Sequence, residues 1–265
     1  MLLTKTDYAE QSVFTPESLL REARRQKDLP TGSVPPVCLL DPDGDIVDYL
    51  LRTNQASRNP YWACYHTHLY SFTYHGRSYG VVGNVVGSSF AVLVAEQLFA
   101  SGCLGLVSVT SAGIINQPSA DTRFVLLEAA LRDEGTSHHY LPPGQPARLA
   151  PALHTALGTA LDALAVGVGT SWTTDAPYRE TETAIARAKA LGVTAVEMEA
   201  AALYAFAEAR QQPVVCFAHL TNTMAQHGAD FEKGDDHGSP AALALLHACA
   251  TQLWPEAVST SERPT

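Results

Sequence analysis

From residue 37 onward, short apolar runs alternate with segments whose apolar residues recur at helical spacing. The runs VCLL (37–40), LYSFTY (69–74), SYGVVGNVV (78–86), LGLVSVT (104–110), LAVGVGT (164–170), TAVEM (194–198) and PVVCFAHLT (213–221) have the length and composition of buried strands. FAVLVAEQLFASG (90–102) follows a Gly-Ser-Ser turn and sets Phe90, Leu93, Val94 and Leu98 on one helical face. ETETAIARAKALG (180–192), EAAALYAFAEAR (199–210) and PAALALLHACATQL (240–253) read as further helices, as does LAPALHTALGTAL (149–161) behind a loop rich in Pro and His. This alternation implies an α/β sandwich around a largely parallel sheet. Residues 1–36 differ: they are polar, carry the basic cluster REARRQK and end in LPTGSVPP. They read as an N-terminal arm, a helix followed by a Pro-rich stretch, expected to pack on a neighbouring subunit. No repeat or linker interrupts residues 37–265, which are expected to form a single domain.

In such sheets ligands bind beyond the carboxyl ends of strands. The connections expected there are 87–89, 110–113, 170–180, 197–199 and 221–238, and each is richer in hydroxyl, amide or charged groups than a mere link requires. Their convergence is the main functional signal of the pattern.

Composition narrows the partner. The 265 residues are 46% hydrophobic, enough for one large core. Seventeen basic against twenty-seven acidic residues give a formal charge of -10, spread along the chain, which argues against nucleic acid or an anionic membrane and leaves a small polar substrate. Cys38, Cys64, Cys103, Cys216 and Cys249 are widely spaced without a CxxC pair and read as reduced core thiols. The N-terminal MLLTKTDYAEQ lacks an apolar signal region. No run reaches the roughly 18 to 20 apolar residues of a membrane span, so a cytoplasmic location is expected.

Several motifs lack a mechanical part. GNVVGSS (83–89) resembles a phosphate cradle but matches neither GxGxxG nor GxxxxGKS/T. DPDGDIVDYLLR (41–52) opens with the aspartate spacing of a calcium loop, yet Ile46 stands where Gly is needed and Arg52 where Glu is needed. His66 and His68 in YHTHLY (65–70) share one strand face without an obvious third ligand, so no metal is expected. GTSWT (169–173) lacks the second Gly of a nucleophile elbow.

The stretch AVEMEAAALYAFAEAR (195–210) puts two glutamates two apart where an apolar run turns into an alanine-rich helix. A helix start tolerates such acids, because its free N–H groups favour carboxylates. VEMEAAALYAFA also resembles the signature V-E-M-E-x-A-A-L/I of the nucleoside phosphorylase and nucleosidase superfamily, and the likeness extends over roughly residues 37–252. It implies a three-layer αβα sandwich with a mixed, partly barrel-like central sheet, built into dimers, trimers of dimers or hexamers. It also implies that Met198 packs against a ribose, that Glu199 accepts hydrogen bonds from the ribose hydroxyls and that Glu197 supports both. A carboxylate can take two vicinal hydroxyls at once and favours an oxocarbenium-like transition state at C1'.

The resemblance also marks the two flanks of the sugar. On the nucleophile side the family uses a Gly-Asp-Pro loop with Arg, an Arg before a Gly-Thr/Ser-x-Gly turn, and an Arg from a neighbouring subunit. This chain has DPDGD, then Ser108 and Thr110, then the YHTHLY strand. Phosphate would be held by Ser88, Ser89, Thr110 and Ser111 with His66 or His68; alternatively water is the nucleophile and an acid in the pocket activates it. On the base side the resemblance points to Asn222 in HLTNTM as the leaving-group residue, a hydrogen-bond donor that cannot supply a proton. Trp172 is placed to stack on the base, Asp175, Tyr178 and Arg179 to read its edge, and Ser111 and Gly113 to line the substrate pocket. GADFEKGDD (228–236) reads as a lid. The reaction implied is cleavage of the N-glycosidic bond of a ribonucleoside or related riboside. Phosphorolysis to free base and ribose 1-phosphate stands ahead of hydrolysis, with inorganic phosphate the co-substrate and no other cofactor. A repurposed lyase, isomerase or cyclase and a binding protein on the same scaffold are the rival classes.

Overall fold

The computed structural model describes residues 7–119, 121–158, 160–224 and 230–255. The helices are α1 (Pro16–Gln26), α2 (Asp45–Arg52), α3 (Ser88–Ala100), α4 (Pro151–Leu157), α5 (Glu182–Ala190), α6 (Ala200–Arg210) and α7 (Ser239–Leu253). The strands are β1 (Val37–Asp41), β2 (Ala56–Arg58), β3 (Tyr70–Tyr74), β4 (Arg77–Gly83), β5 (Gly105–Ile114), β6 (Phe124–Asp133), β7 (Ala147–Arg148), β8 (Gly167–Thr174), β9 (Ala195–Glu197) and β10 (Val214–Asn222). Of the expected lid, residues 230–236 are described, while 228 and 229 lie outside the described residues. Among the described residues, no helix is long and apolar enough to cross a membrane.

Five strands close on themselves: β5 pairs with β10, β10 with β6, β6 with β8, β8 with β9, and β9 with β5 again. From β5 the sheet continues outward through β1, β4, β3 and β2. Helices α1, α3 and α6 pack together on one side and α2, α4 and α7 on the other, which gives the three layers. The sheet is mixed, not largely parallel as the alternation of runs and helices implies. β3 pairs with β4, β5 with β9, and β6 with β10 in antiparallel fashion, because a hairpin and the barrel closure both reverse direction. All five cysteines are buried and unpaired.

β5 organises the molecule. Along one edge it runs parallel to β10 from Leu106 to Gly113. Along the other it pairs with β1 only over Gly105–Ser108 and with β9 only at Gly113 and Ile114. Between these two neighbours the edge at Thr110 and Ser111 has no strand beside it among the described residues, so its backbone groups are free to meet something else. The pattern of residues suggested a loop at 110–113; the structure instead keeps the chain extended, because β10 remains paired alongside it. Likewise Trp172 and Thr173 belong to β8, paired with Val196 and Glu197 of β9, and the connection begins only after Thr174.

One buried hydroxyl joins the helical layer to the barrel. β6 has a bulge between Leu127 and Ala129, and its pairing with β10 ends at Leu126 and Phe217. The Tyr204 hydroxyl fills the interruption: it donates to Leu127 O at 2.5 Å and accepts from Cys216 N at 3.0 Å. Removing it leaves two buried backbone groups unpaired, each worth about 1–3 kcal/mol. Tyr204→Phe should therefore lower unfolding free energy by about 2–4 kcal/mol in urea titration. A loss under about 0.5 kcal/mol would mean that the two strands re-pair without it.

Candidate functional site

The two glutamates at the β9 to α6 junction do different work. Glu197 is the helix-start acid: its Oε2 accepts from Glu199 N and Ala200 N, both at 2.7 Å. Its Oε1 accepts from the Thr173 hydroxyl, which in turn accepts from Ala201 N at 3.0 Å. These bonds take up N–H groups of the first turn that have no partner within the helix. Burial pushes the Glu197 pKa up, and the Thr173 and backbone hydrogen bonds oppose it.

Glu199 stands at the N-cap position of α6 yet does not cap it; its carboxylate turns towards β5 and α3. Oε1 accepts from Gly87 N at 2.6 Å and Oε2 from Thr110 Oγ1 at 2.9 Å. Gly87 has φ of 93°, a conformation that a side chain would strain and that aims its N–H at the acid. Beside it, Ser88 Oγ donates to Met198 O at 2.7 Å, fixing the strand-to-helix turn. Glu199 is 2% exposed. Burial first, then the charge of Glu197, push its pKa up to about 8 against the pull of Gly87 and Thr110. Among the described residues each carboxylate oxygen has one protein donor, so each keeps acceptor capacity for a further hydroxyl.

Next to this acid lies the free edge of β5, and an acidic loop meets it. Asp41, at the end of β1, takes Gly44 N at 3.1 Å and Ile46 N and Val47 N at 2.9 Å, so it caps α2. Its pKa is pushed up to about 7, chiefly by burial and further by the charges of Asp43 and Asp45. Asp43 Oδ2 accepts from Ser111 N at 2.9 Å. Lys233 Nζ lies 2.5 Å from Asp45 Oδ2 and 3.5 Å from Asp43 Oδ1. A cavity of about 10 Å³ remains between Asp43, Asp45, Thr110, Ser111 and His219. Among the described residues, no group of three or more His, Cys, Asp or Glu side chains is arranged to hold a metal ion.

The other side chains singled out by sequence fall into two groups. Asn222 pairs across the sheet with Gly113, and its Oδ1 accepts from Met224 N at 3.0 Å while its Nδ2 donates to Thr221 Oγ1 at 3.1 Å. Thr110, Ser111, Gly113, Ser88, Met198, Glu197, Glu199 and Asn222 thus share the neighbourhood of β5. Trp172 is buried in a small apolar cluster with Ile115 and Val196, and Met224 packs beside it; its Nε1 donates to Asp133 Oδ2 at 2.9 Å. Asp175 accepts from Gly135 N at 2.8 Å. Tyr178 is 99% exposed, and Arg179 and Ser89 are exposed as well. His66 and His68 are exposed, with the His66 ring 6.4 Å from Phe90 of α3 and the His68 ring 6.5 Å from Tyr70. A groove of about 850 Å³ lies between the arm and α3 and α6, lined by Phe14, Leu93, Phe99 and Phe206, and neither Glu197 nor Glu199 borders it.

Three residues at or beside this small cavity were not singled out by sequence: Asp43, Lys233 and His219. The DPDGD run was a visible signal for the first. The other two become neighbours of the loop only through the strand order, which brings β10 beside β5.

The phosphorylase superfamily model matches residues 37–251. No curated protein matches the sequence. Among solved structures, uridine phosphorylase from Vibrio fischeri ES114 is similar with a TM-score of 0.70 at 20% identity, over 83% of this chain and 93% of that one. Purine nucleoside phosphorylase from Toxoplasma gondii, in complex with immucillin-H, has a TM-score of 0.68 at 16% identity over 83% and 91%. AMP nucleosidase from Bacteroides thetaiotaomicron VPI-5482 has a TM-score of 0.64 at 18% identity over 89% and 96%. The match over residues 37–251 means that the chain belongs to the phosphorylase superfamily and is an enzyme acting on glycosidic bonds.

Proposed function

We propose that the protein hydrolyses the N-glycosidic bond of a ribonucleoside or related riboside, with water instead of phosphate as the nucleophile. One observation carries the choice. The Ser111 N–H, which an incoming phosphate oxygen would need, already serves the Asp43 carboxylate at 2.9 Å. The space left beside it, about 10 Å³, is the size of one water. Asp43 and Asp45 outnumber Lys233, so the loop keeps a net negative charge towards an anion. At about 4 Å and an effective dielectric near 20, each carboxylate would repel each unit of phosphate charge by roughly 4 kcal/mol. The sequence put phosphorolysis first; this geometry favours the hydrolytic alternative. The fold's likeness to an AMP nucleosidase as well as to phosphorylases is in keeping with it.

In this reading Glu199 takes the ribose hydroxyls on its free lone pairs, with Met198 beneath the sugar. Asp43 accepts a proton from the water as its oxygen bonds to C1'. The C1'–N bond breaks with its electron pair going to the base, which Asn222 steadies by a hydrogen bond and solvent protonates. Water is the co-substrate, and the chemistry asks for no other.

Base release from a nucleoside panel in phosphate-free buffer should proceed at the same rate as with added phosphate; strict dependence on phosphate would sink the hydrolytic reading. Asp43→Asn should lower kcat by about 10²- to 10⁴-fold with little change in KM. Glu199→Gln should slow ribosides far more than 2'-deoxyribosides, and an equal loss on both would remove the ribose clamp. The same variant tests the buried charge. Glu199 titrates near 8 in the folded chain against 4.5 for the free side chain, so the folded state holds an extra proton between these values and loses stability as pH rises through them. The melting temperature of Glu199→Gln should accordingly fall less than that of the wild type between pH 4.5 and about 8. Identical slopes would mean that Glu199 is ionised throughout.

A further inference from the structure

A buried histidine faces the nucleophile cavity with nothing to bond. His219 of β10 is 5% exposed, and its ring stacks on Phe124 with centroids 4.4 Å apart and planes 14° from parallel. Its Nε2 has no hydrogen-bond partner among the described residues. A buried nitrogen left unpaired is costly, so its retention calls for a reason. The backbone places it well: His219 is in register with Ser111 across β5, and it lines the same small cavity as Asp43. Gly238 closes the far side of the ring. With φ of 78° it has no side chain, and a Cβ there would come within 2.5 Å of the His219 Cε1. The imidazole is thus stacked on one face against Phe124, with the start of α7 against its Cε1 edge and its Nε2 without a partner among the described residues. Burial, then the charges of Lys233 and Arg123, bring its pKa down to about 4 in spite of Asp43 and Asp45, so it stays neutral at neutral pH.

We propose that His219 is a second catalytic residue: its Nε2 and the Asp43 carboxylate together hold the nucleophilic water in line with C1'. This rests on the hydrolytic reading above and adds the group that orients the water. The electron count is that of hydrolysis. The water oxygen bonds to C1', the C1'–N bond breaks with its pair on the base, one water proton passes to Asp43 and the base draws a proton from solvent. His219 gains and loses no proton; it aims the oxygen.

His219→Phe keeps an aromatic ring against Phe124 and removes the nitrogen, while His219→Gln restores a hydrogen-bonding group near the Nε2 position. In phosphate-free buffer, His219→Phe should lose about 10- to 100-fold in kcat, the equivalent of one hydrogen bond to the nucleophile, with KM for the nucleoside within about twofold. His219→Gln should recover most of that loss. Methanol supplies a readout that a purely structural role would not move. A site that holds water at two points should discriminate against methanol, so His219→Phe should raise the ratio of methyl riboside to free ribose above that of the wild type. A kcat for His219→Phe within threefold of wild type, or a slow His219→Phe with an unchanged methanol ratio and no recovery in His219→Gln, would overturn the role. If the unmutated enzyme releases no base without phosphate, the hydrolytic reading fails and takes this proposal with it. If wild type hydrolyses and His219→Phe matches it, only His219 is removed.

Discussion

The site depends on burying two carboxylates within one turn of backbone without letting them do the same thing. Glu197 spends its oxygens on Thr173 and on the first N–H groups of α6, and so becomes part of the helix start. That frees Glu199 from capping, although it occupies the N-cap position. Its carboxylate can then reach across to Gly87 and Thr110, which belong to two other elements. Two like charges this close in a buried place raise each other's cost, and burial pushes both pKa values up. Fully ionised, the pair would be expensive; hydrogen bonds from β8, β5 and the starts of α3 and α6 hold it in place.

The second constraint is topological. β5 has to serve β1 at its start and β9 at its end, so its edge is bare at Thr110 and Ser111. A bare strand edge in a closed sheet offers N–H groups to any acceptor that reaches it. Here the acceptor is Asp43, delivered by the loop that follows β1. The bare edge of β5 is thus already lined with the chain's own anion, which is the feature on which the proposed preference for water over phosphate rests.

Much of the layer architecture was legible in the sequence because apolar runs and helical periodicity are local properties. The runs at β1, β4 and β10 and the helices α3, α5, α6 and α7 lie where the pattern puts them, while β5 and β8 run on into segments expected as loops. Strand direction was not legible: whether β6 and β9 run with or against their neighbours is set by barrel closure, which no local spacing encodes. The Glu-Met-Glu junction was readable because its residues are consecutive. The nucleophile side was only half readable. DPDGD drew notice for the cations it lacks, but its meaning depends on Ser111, 68 residues away along the chain. Lys233 lies 188 residues from Asp45, and His219 is a single polar residue in an apolar strand, the kind of position most often explained as a satisfied core group. Only the structure reveals that its Nε2 is unsatisfied.

That distance between partners along the chain has a physical consequence. Lys233 follows β10 and Asp43 and Asp45 follow β1, so the ion pairs that offset the acidic loop form only when β1, β5 and β10 are assembled side by side. Lys233 is close to Asp45 and further from Asp43, which leaves Asp43 the less neutralised of the two acids. In the proposed hydrolysis a lysine centred on Asp43 would quench the proton acceptor; a loop without any lysine would face more of the repulsion among Asp41, Asp43 and Asp45 that, after burial, helps to raise the Asp41 pKa. The offset placement resolves both demands. It steadies the loop through Asp45, and it leaves the Asp43 carboxylate tethered by one backbone N–H with acceptor capacity to spare, as the proposed hydrolysis requires.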